Sequence, residues 1–305
     1  MSALVARLRQ LRAEAGKLPS AIVEQKIKQT AKPFASSSTL AASRLVASRA
    51  AVSPDIRRLL QRHAQLKRGP STLSSKDRDV PGTEIAPGLR YTEVLVDWLT
   101  PPAIIDASFA RMEPLHHYRL LHFDTETTGL AGGTGTRAFM IGAADWIDGR
   151  FRIRQLTITS MAAETAMLRT FASWLNQETV LVSYNGKCYD APLLATRYRL
   201  ARLPNPLLGL GHLDLLHPVR RQWKHQWENC RLATAERQLL GVVREDDLPG
   251  SEAPAAWLTY LRGGSAANLR RVAHHNAQDL KSLAGVLMRM AGMKPSGTQT
   301  PRLDR

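Results

Sequence analysis

Two acidic residues at the end of an apolar segment are the most suggestive chemical feature of this sequence. Asp124 and Glu126 follow the apolar run 120–123 and precede a Thr-Thr-Gly turn. If residues 120–124 form a β-strand, both side chains project to the same side, because alternate residues of a strand share a face. Paired carboxylates on an apolar edge repel each other and lose hydration, so they require a counter-charge. Their hard oxygens suit Mg²⁺ or Mn²⁺, which predicts a metal-dependent phosphoryl-transfer site. The alternative is a solvated turn with two surface acids.

A third candidate acid lies about sixty residues further along. Asp190 follows Asn185-Gly186-Lys187 and stands just before Pro192, at the predicted start of a helix. A carboxylate in this position also satisfies free backbone N–H groups of the helix, so Asp190 has a structural explanation as well as a functional one.

The last candidates open an apolar helix near the C-terminal end. His274, His275 and Asp279 lie in the segment 274–279. The spacing i, i+4 places His275 and Asp279 on one helical face, whereas His274 points well round the helix. An imidazole with an ordinary pKa near neutrality can accept a proton at physiological pH. The alternative is a pair of surface imidazoles at a helix start.

Charge is strongly and unevenly positive. The 305 residues carry a net charge of +16, and residues 1–90 contain 17 Lys and Arg against 6 Asp and Glu. A hydrophobic content of 44% is enough for a real core. We interpret the basic excess as a nucleic-acid-binding arm placed ahead of the acidic site, and the alternative is that the charge only keeps a flexible arm in solution.

The cysteine spacing and the lengths of the apolar runs indicate the cellular compartment and the kinds of cofactor to expect. Cys188 and Cys230 are its two cysteines and have no CxxC spacing, so the pattern suggests neither a zinc site nor a disulfide scaffold. No apolar run approaches the roughly 18 residues that span a bilayer, and residues 1–9 lack the apolar core of a signal peptide. We therefore expect a cytoplasmic protein with no membrane contact.

The pattern of apolar residues predicts an α/β fold with a mixed sheet flanked by helices. Residues 1–82 are expected to form a basic arm, partly disordered and partly helical (1–30 and 55–68). Residues 83–118 connect it to the main domain and could form one or two short strands near 91–98. The main domain covers 119–290, and 291–305 form a loose tail. Strands are predicted for 120–124, 138–146, 151–159, 180–184 and 212–216, and helices for 162–176, 191–201, 229–240 and 269–290.

The three acidic motifs resemble those of the DEDD exonucleases of the RNase H-like superfamily, which occur in the same order. The likeness is greater still to the YprB-like branch, whose pattern combines DTETTGL, a Gly-Gly-Thr loop, NGK before an aromatic residue and Asp, HLDLLHP, EDD.PG and HN..D. Several independent motifs in one order make a specific signal. The resemblance covers 119–290, and the corresponding segments here are 124–139, 185–197, 212–221, 245–250 and 275–279.

This resemblance implies a role for each candidate. Asp124, Glu126, Asp190 and Asp279 would bind two divalent cations, Mg²⁺ or Mn²⁺, that activate water and stabilise the leaving 3′ oxygen. His275 would be the general base, because the YprB-like pattern and the helical spacing both select it. His274 is the alternative, since a related branch has its histidine five residues before the last Asp. In the same motifs, the predicted nucleic-acid contacts are Thr127, Asn185, Lys187 and Arg197.

The function implied is 3′→5′ exonuclease activity on single-stranded or end-exposed nucleic acid, with DNA favoured over RNA. Two alternatives stay open, a non-catalytic nucleic-acid-binding module on a nuclease fold and a structure-specific endonuclease. A role in DNA repair and a helicase partner are hypotheses without a sequence feature of their own.

Overall fold

The computed structural model describes residues 77–98, 100–129, 134–244 and 247–293. The predicted basic helices, the linker between them, most of the Gly-Gly-Thr loop and the tail beyond 293 lie outside these ranges. Within them, no helix is both long enough and apolar enough to cross a membrane.

A mixed seven-stranded sheet organises the fold, which confirms the predicted fold class. Its strand order is β1-β2-β7-β6-β5-β8-β9, and a separate pair is formed by β3 and β4. Strands β5, β8 and β9 run parallel to one another, and the other neighbours are antiparallel. The strands are β1 Thr83–Ala86, β2 Leu89–Val96, β3 Ile104–Ile105, β4 Leu115–His116, β5 Leu120–Thr127, β6 Ala138–Ile147, β7 Arg150–Ile158, β8 Val180–Ser183 and β9 Gly211–Asp214.

The segment ahead of residue 119 contributes to this same sheet. Strand β2 pairs with β7 along its whole length, from Leu89 opposite Ile158 to Val96 opposite Phe151. The strand expected near 91–98 is therefore an integral strand of the main sheet, and β1 extends the sheet by one more.

Six α-helices surround the sheet in the described ranges. The predicted helix over 229–240 is corrected by the structure: the α-helical part starts only at Leu232, and a π-helical turn, Glu236–Leu240, follows it. The left-handed conformation of Gly241 then ends the segment. The helices are α1 Glu164–Ala172, α2 Asp190–Leu200, α3 Leu216–Trp223, α4 Leu232–Ala235, α5 Ala253–Leu261 and α6 Ala267–Met290.

Strand β5 separates two apolar clusters because its side chains alternate between the faces of the sheet. Leu121 and Phe123 belong to one cluster, together with Trp257 of α5. Leu120 belongs to the other, together with Leu280 and Leu283 of α6. Asp124 and Glu126 continue the series of Leu120, so both acids emerge on the side of the second cluster where the strand leaves the core.

Candidate active site

Asp124 is held in place by an amide of helix α6. The Nδ2 group of Asn276 donates to Asp124 Oδ2 over 2.9 Å, and Asn276 is completely buried. Its Oδ1 accepts a hydrogen bond of 2.9 Å from Gln155 Nε2, which also donates to the Ala273 carbonyl over 2.8 Å. A buried amide with both ends satisfied has one favoured orientation, so these bonds fix the Asp124 carboxylate and the helix together.

A glycine in the central strand makes this arrangement possible. Gly142 lies opposite Asp124 in the β5–β6 ladder and opposite Gln155 in the β6–β7 ladder. A Cβ atom on Gly142 would lie 2.0 Å from Asn276 Oδ1, so Asn276 would have to move. Glycine inside a strand weakens the strand but permits close approach. The sequence analysis assigned no role to Gly142, Gln155 or Asn276, although a glycine within an apolar strand was a usable signal.

Asp190 reaches the site from the first turn of α2. Its carboxylate accepts a hydrogen bond from the Thr125 hydroxyl, on the strand residue between the two first acids. Gly186 allows this close approach, because a Cβ there would lie 2.5 Å from Ser183 Oγ and 3.3 Å from Asp190 Oδ2. Asp190 therefore lies against the strand that carries Asp124 and Glu126.

A buried carboxylate organises the turn that leads to Asp190. Asp214, at the end of β9, accepts hydrogen bonds from the backbone N–H groups of Asn185 (2.7 Å), Lys187 (3.0 Å) and Leu216 (3.1 Å). Asn185 has a left-handed backbone, φ +69°, which asparagine tolerates better than most residues. Asp214 thus sets the conformation of the 185–187 turn through main-chain contacts.

Helix α6 presents His275 and Asp279 one turn apart, as their spacing predicts. His275 Nε2 lies 3.6 Å from Asp279 Oδ2. On the other side of the ring, Nδ1 lies 2.7 and 2.8 Å from the two carboxylate oxygens of Asp247. A carboxylate can only accept, so a proton on Nδ1 would be donated to Asp247 and the Nε2 lone pair would face Asp279; Arg244 Nη1 also lies 3.2 Å from Nδ1. His274, by contrast, is exposed.

Arg244 joins three carboxylates behind this histidine. Its guanidinium forms a two-point contact with Glu236, with N–O distances of 2.6 and 2.8 Å. It also donates to Asp247 over 3.0 Å and to Asp279. Because Glu236 is 1% exposed, removal of Arg244 would leave a buried carboxylate without its partner. The sequence analysis assigned a role to none of Arg244, Glu236 and Asp247, although Asp247 belongs to the matched 245–250 motif.

Burial and neighbouring carboxylates raise the pKa values of all four acids. Burial, together with the charges of Asp279, Asp190 and Glu126, raises the pKa of Asp124 well above its ordinary value. Burial and the charges of Asp279 and Asp190 raise the pKa of Glu126 to about 8. Burial raises the pKa of Asp190 to about 6, although the hydrogen bond from Thr125 opposes the shift. Three segments distant in sequence therefore deliver their carboxylates to one low-dielectric region.

Asp247 and Asp279 differ in the direction of their shifts. Burial raises the pKa of Asp279, and Arg244 and His275 only partly offset this effect. For Asp247 burial acts in the same direction, but the hydrogen bonds from His275 and Arg244 prevail and lower its pKa. Asp247 therefore stays ionised beside His275.

The donor chemistry of the four acids suits a hard divalent cation, which would relieve their mutual repulsion. In the described part of the chain, however, no three His, Cys, Asp or Glu side chains are grouped so that they could hold an ion as they stand. Part of the reason is that oxygens of Asp124, Asp190 and Asp279 accept hydrogen bonds from Asn276, Thr125 and Arg244.

A cleft of about 310 Å³ opens beside Asp124 and Asp190. Thr127 and Asn185, two of the predicted nucleic-acid contacts, line it, and so does Tyr189, which is 62% exposed. Strand β5 and the 185–190 turn therefore form the two walls of a space next to the carboxylates.

The other two predicted nucleic-acid contacts are placed differently. Lys187 is exposed beside the Asp190 turn. Arg197 is 5% exposed, and all three of its guanidinium nitrogens are engaged: two with Glu164, over 2.6 and 2.7 Å, and one with the Thr134 carbonyl over 2.9 Å. The prediction for Arg197 is therefore wrong, because its guanidinium is paired with Glu164 inside the protein, where it links α2 to α1 and to the loop before β6.

Comparison with known proteins agrees with the geometry. The model of the RNase_H superfamily matches residues 121–291. The uncharacterized protein YprB of Bacillus subtilis (strain 168) is 38% identical over 184 residues, which is 60% of this chain and 44% of YprB. The chain thus matches less than half the length of this relative.

A similar solved structure is that of the family B DNA polymerase from the hyperthermophilic archaeon Pyrobaculum calidifontis. It is 17% identical, with a TM-score of 0.47, and the match covers 59% of this chain and 25% of the polymerase chain. The family match spans more than half of the 305 residues, including all four acids. The chain is a YprB-like protein and belongs to the RNase H superfamily of nuclease folds.

Proposed function

We propose that this protein is a DEDD-type 3′→5′ exonuclease that hydrolyses single-stranded or end-exposed nucleic acid, DNA in preference to RNA, with two divalent cations. The observation that carries the proposal is the convergence of the four carboxylates: Asp190 accepts a hydrogen bond from Thr125, which lies between Asp124 and Glu126, and Asp124 is bound by Asn276 of the helix that carries Asp279. Burial raises the pKa of Asp124, and the charges of Asp279, Asp190 and Glu126 raise it further. Such a cluster is costly in a folded protein unless a cation compensates it.

Asp124, Glu126, Asp190 and Asp279 would hold Mg²⁺ or Mn²⁺, which supply Lewis-acid stabilisation of the phosphate and a more acidic water. The protein's own residues supply the geometry. Asn276 orients Asp124 over a 2.9 Å hydrogen bond. Thr125 does the same for Asp190, so both acids keep a defined rotamer before any ion arrives.

His275 is proposed as the general base. Asp247 holds the Nδ1 proton over 2.7 Å, which leaves Nε2 as the nitrogen able to accept a proton from the attacking water. Nε2 already faces the acid cluster, 3.6 Å from Asp279 Oδ2. His274 is exposed on another side of the helix, which favours His275.

The cleft beside Asp124 and Asp190 is proposed to receive the terminal nucleotide. Thr127 and Asn185 can offer polar groups to a sugar or phosphate there, and exposed Tyr189 offers a ring for base stacking. A volume of about 310 Å³ is at the lower end of the range for small-ligand sites, which fits one nucleotide rather than a duplex.

The test uses one 30-nucleotide sequence as DNA and as RNA, labelled at the 5′ or the 3′ end. With Mg²⁺ or Mn²⁺ we expect a descending ladder from the 5′-labelled strand, and early release of labelled mononucleotide from the 3′-labelled strand. Chelator or Asp124→Asn should abolish both. Asp148→Asn, the same substitution in an exposed hairpin turn, is the matched control and should leave the ladder unchanged.

Circular single-stranded DNA separates the alternatives. An exonuclease leaves it intact, whereas cutting of the circle would replace the proposal by an endonuclease. Tight binding of linear DNA with no metal-dependent cleavage would replace it by a binding module.

A further inference from the structure

A groove runs along the outer side of helix α6, next to the candidate active site. It consists of two cavities of about 440 and 270 Å³ that share His274, Ala277 and Lys281 as lining residues. One wall is formed by residues 242–244 and 247–248, which include Asp247, and the other is the exposed part of β2 with Val94. We call this surface the α6 groove, and it is distinct from the cleft lined by Thr127 and Asn185.

We propose that the α6 groove holds the sugar–phosphate backbone of the single strand whose end lies in the active site. The inference rests on the proposed nuclease function, because it names the path of that substrate. It extends to a surface for which no ligand was predicted from the sequence.

Charge favours a polyanion in this groove. Lys281 lines both cavities, Arg271 lines the larger one, and Arg270, which is paired with Asp77, lines the smaller. Asp247 is the acidic residue among the described lining residues, and it is already bound by Arg244 and His275. Lysine and arginine beside an open channel are the usual electrostatic contacts of phosphate backbones.

The apolar part of the groove favours a single strand over a duplex. Val243 and Val94, one in each cavity, are 72% and 53% exposed and give each cavity some apolar surface. Unpaired bases can cover such surface, whereas the bases of a duplex are stacked inside it. No Phe, Tyr or Trp is among the described lining residues, so we expect the main contacts to be made with the sugar–phosphate backbone.

The groove is continuous with the candidate active site through one helix. His274 and Gln278, which line the larger cavity, each precede a site residue, His275 and Asp279. Asp247 lines the cavity on one side and binds His275 Nδ1 on the other. A strand whose end reaches the carboxylates from this side would pass His275 and continue along Lys281 and Arg271.

The test measures binding of fluorescein-labelled oligo(dT)₂₀ by anisotropy, with full-length protein in EDTA so that no cleavage occurs. The double variant Arg271→Gln/Lys281→Gln should bind about tenfold more weakly at low salt. Each lost phosphate contact should reduce the log–log salt slope by about 0.7, so the two together reduce it by about 1.4. Arg289→Gln, on the same helix two turns beyond Lys281 and outside both cavities, is the control and should behave as wild type.

Val243→Ser probes the apolar wall separately. It should weaken oligo(dT)₂₀ binding by a few fold without changing the salt slope, because it removes no charge. Circular dichroism melting curves that match wild type would show that each variant is folded.

Unchanged affinity and slope in the folded double variant would overturn the proposal, and so would equal losses in the Arg289→Gln control. Preference for duplex over single-stranded DNA would overturn it as well. These outcomes are independent of catalysis: a groove that binds as expected in a protein without nuclease activity would refute the proposed function and leave the binding surface intact.

Discussion

Replacement of Glu126 by glutamine should stabilise the protein when no divalent cation is bound. Burial and neighbouring acids raise the pKa of Glu126 to about 8, from 4.5 for an ordinary glutamate. Between pH 4.5 and about pH 8, the native state retains a proton on Glu126 that the unfolded chain has lost. The unfolded state therefore binds fewer protons, and the free energy of unfolding falls as the pH rises through this window.

The size of the effect on the free energy of unfolding follows from the difference between the native and unfolded pKa values. One unit of pKa difference corresponds to about 1.4 kcal/mol, so at pH 7.5 the unfolded-state ionisation of Glu126 costs the native state up to about 4 kcal/mol. Glutamine has the same shape and does not titrate, so it removes this penalty. For a domain of this size each kcal/mol corresponds to roughly 2–4 °C in melting temperature.

The assay is thermal unfolding of full-length wild type and Glu126→Gln in chelator, at pH 5, 6, 7 and 8. The melting temperature of wild type should fall relative to the variant as the pH rises, with the largest difference at pH 8. Glu113→Gln is the matched control, since Glu113 is exposed and its neutralisation should leave the pH profile as in wild type.

Addition of Mn²⁺ should reverse the order. A ligand that binds the native state at a hundred times its dissociation constant stabilises it by about 2.7 kcal/mol, and wild type with all four acids should gain more than the variant. Equal melting temperatures of wild type and Glu126→Gln across the pH series in chelator would refute the reasoning, because the acids would then not share one low-dielectric region.

Four further predictions test the site and its supports. His275→Ala should lower cleavage about 10²–10⁴-fold and His274→Ala far less, and the reverse order would assign the base to His274. Gly142→Ala should lower the free energy of unfolding in urea by about 1–3 kcal/mol and reduce cleavage, because the new methyl group displaces Asn276 from Asp124. Gly135→Ala is the control: Gly135 has open space around it, so stability and cleavage should stay as in wild type. Burial lowers the pKa of His122 to about 4, so below pH 6.5 the unfolded chain takes up a proton that the native state does not bind. Between pH 7 and pH 5 the free energy of unfolding of wild type, measured in urea, should therefore fall by about 2 kcal/mol more than that of His122→Leu. Parallel pH profiles would contradict this. Deletion of residues 1–70 should weaken nucleic-acid binding and flatten its salt dependence while the metal requirement persists, and unaltered affinity would exclude a binding role for the arm.

The local sequence pattern was sufficient to predict how the strand and helix that carry the acids present their side chains. The period-two pattern of β5 predicted that Asp124 and Glu126 share a face, and the helical spacing of His275 and Asp279 predicted their contact, which measures 3.6 Å. Both are inferences over a few residues, where backbone geometry alone sets the direction of side chains.

Contacts between distant segments were beyond this reasoning. Arg197 looked like a phosphate ligand because it lies near Asp190, yet it folds inward onto Glu164. The charge of an arginine in the sequence does not reveal whether the fold supplies a buried carboxylate to receive it. Likewise the pairing of Arg244 with Glu236, Asp247 and Asp279 joins residues up to 35 positions apart that show no shared period.

The amino-acid sequence by itself determined which residues can do chemistry and which local element presents each of them, because strand alternation, helical spacing and turn residues act over short distances. Tertiary structure alone decided how those elements meet: Gly142 admits Asn276 against Asp124, and Asp247 reaches His275 from a separate loop. The packing of a helix on a sheet depends on the shapes of many side chains at once, so the orientation of each acid is a property of the folded chain.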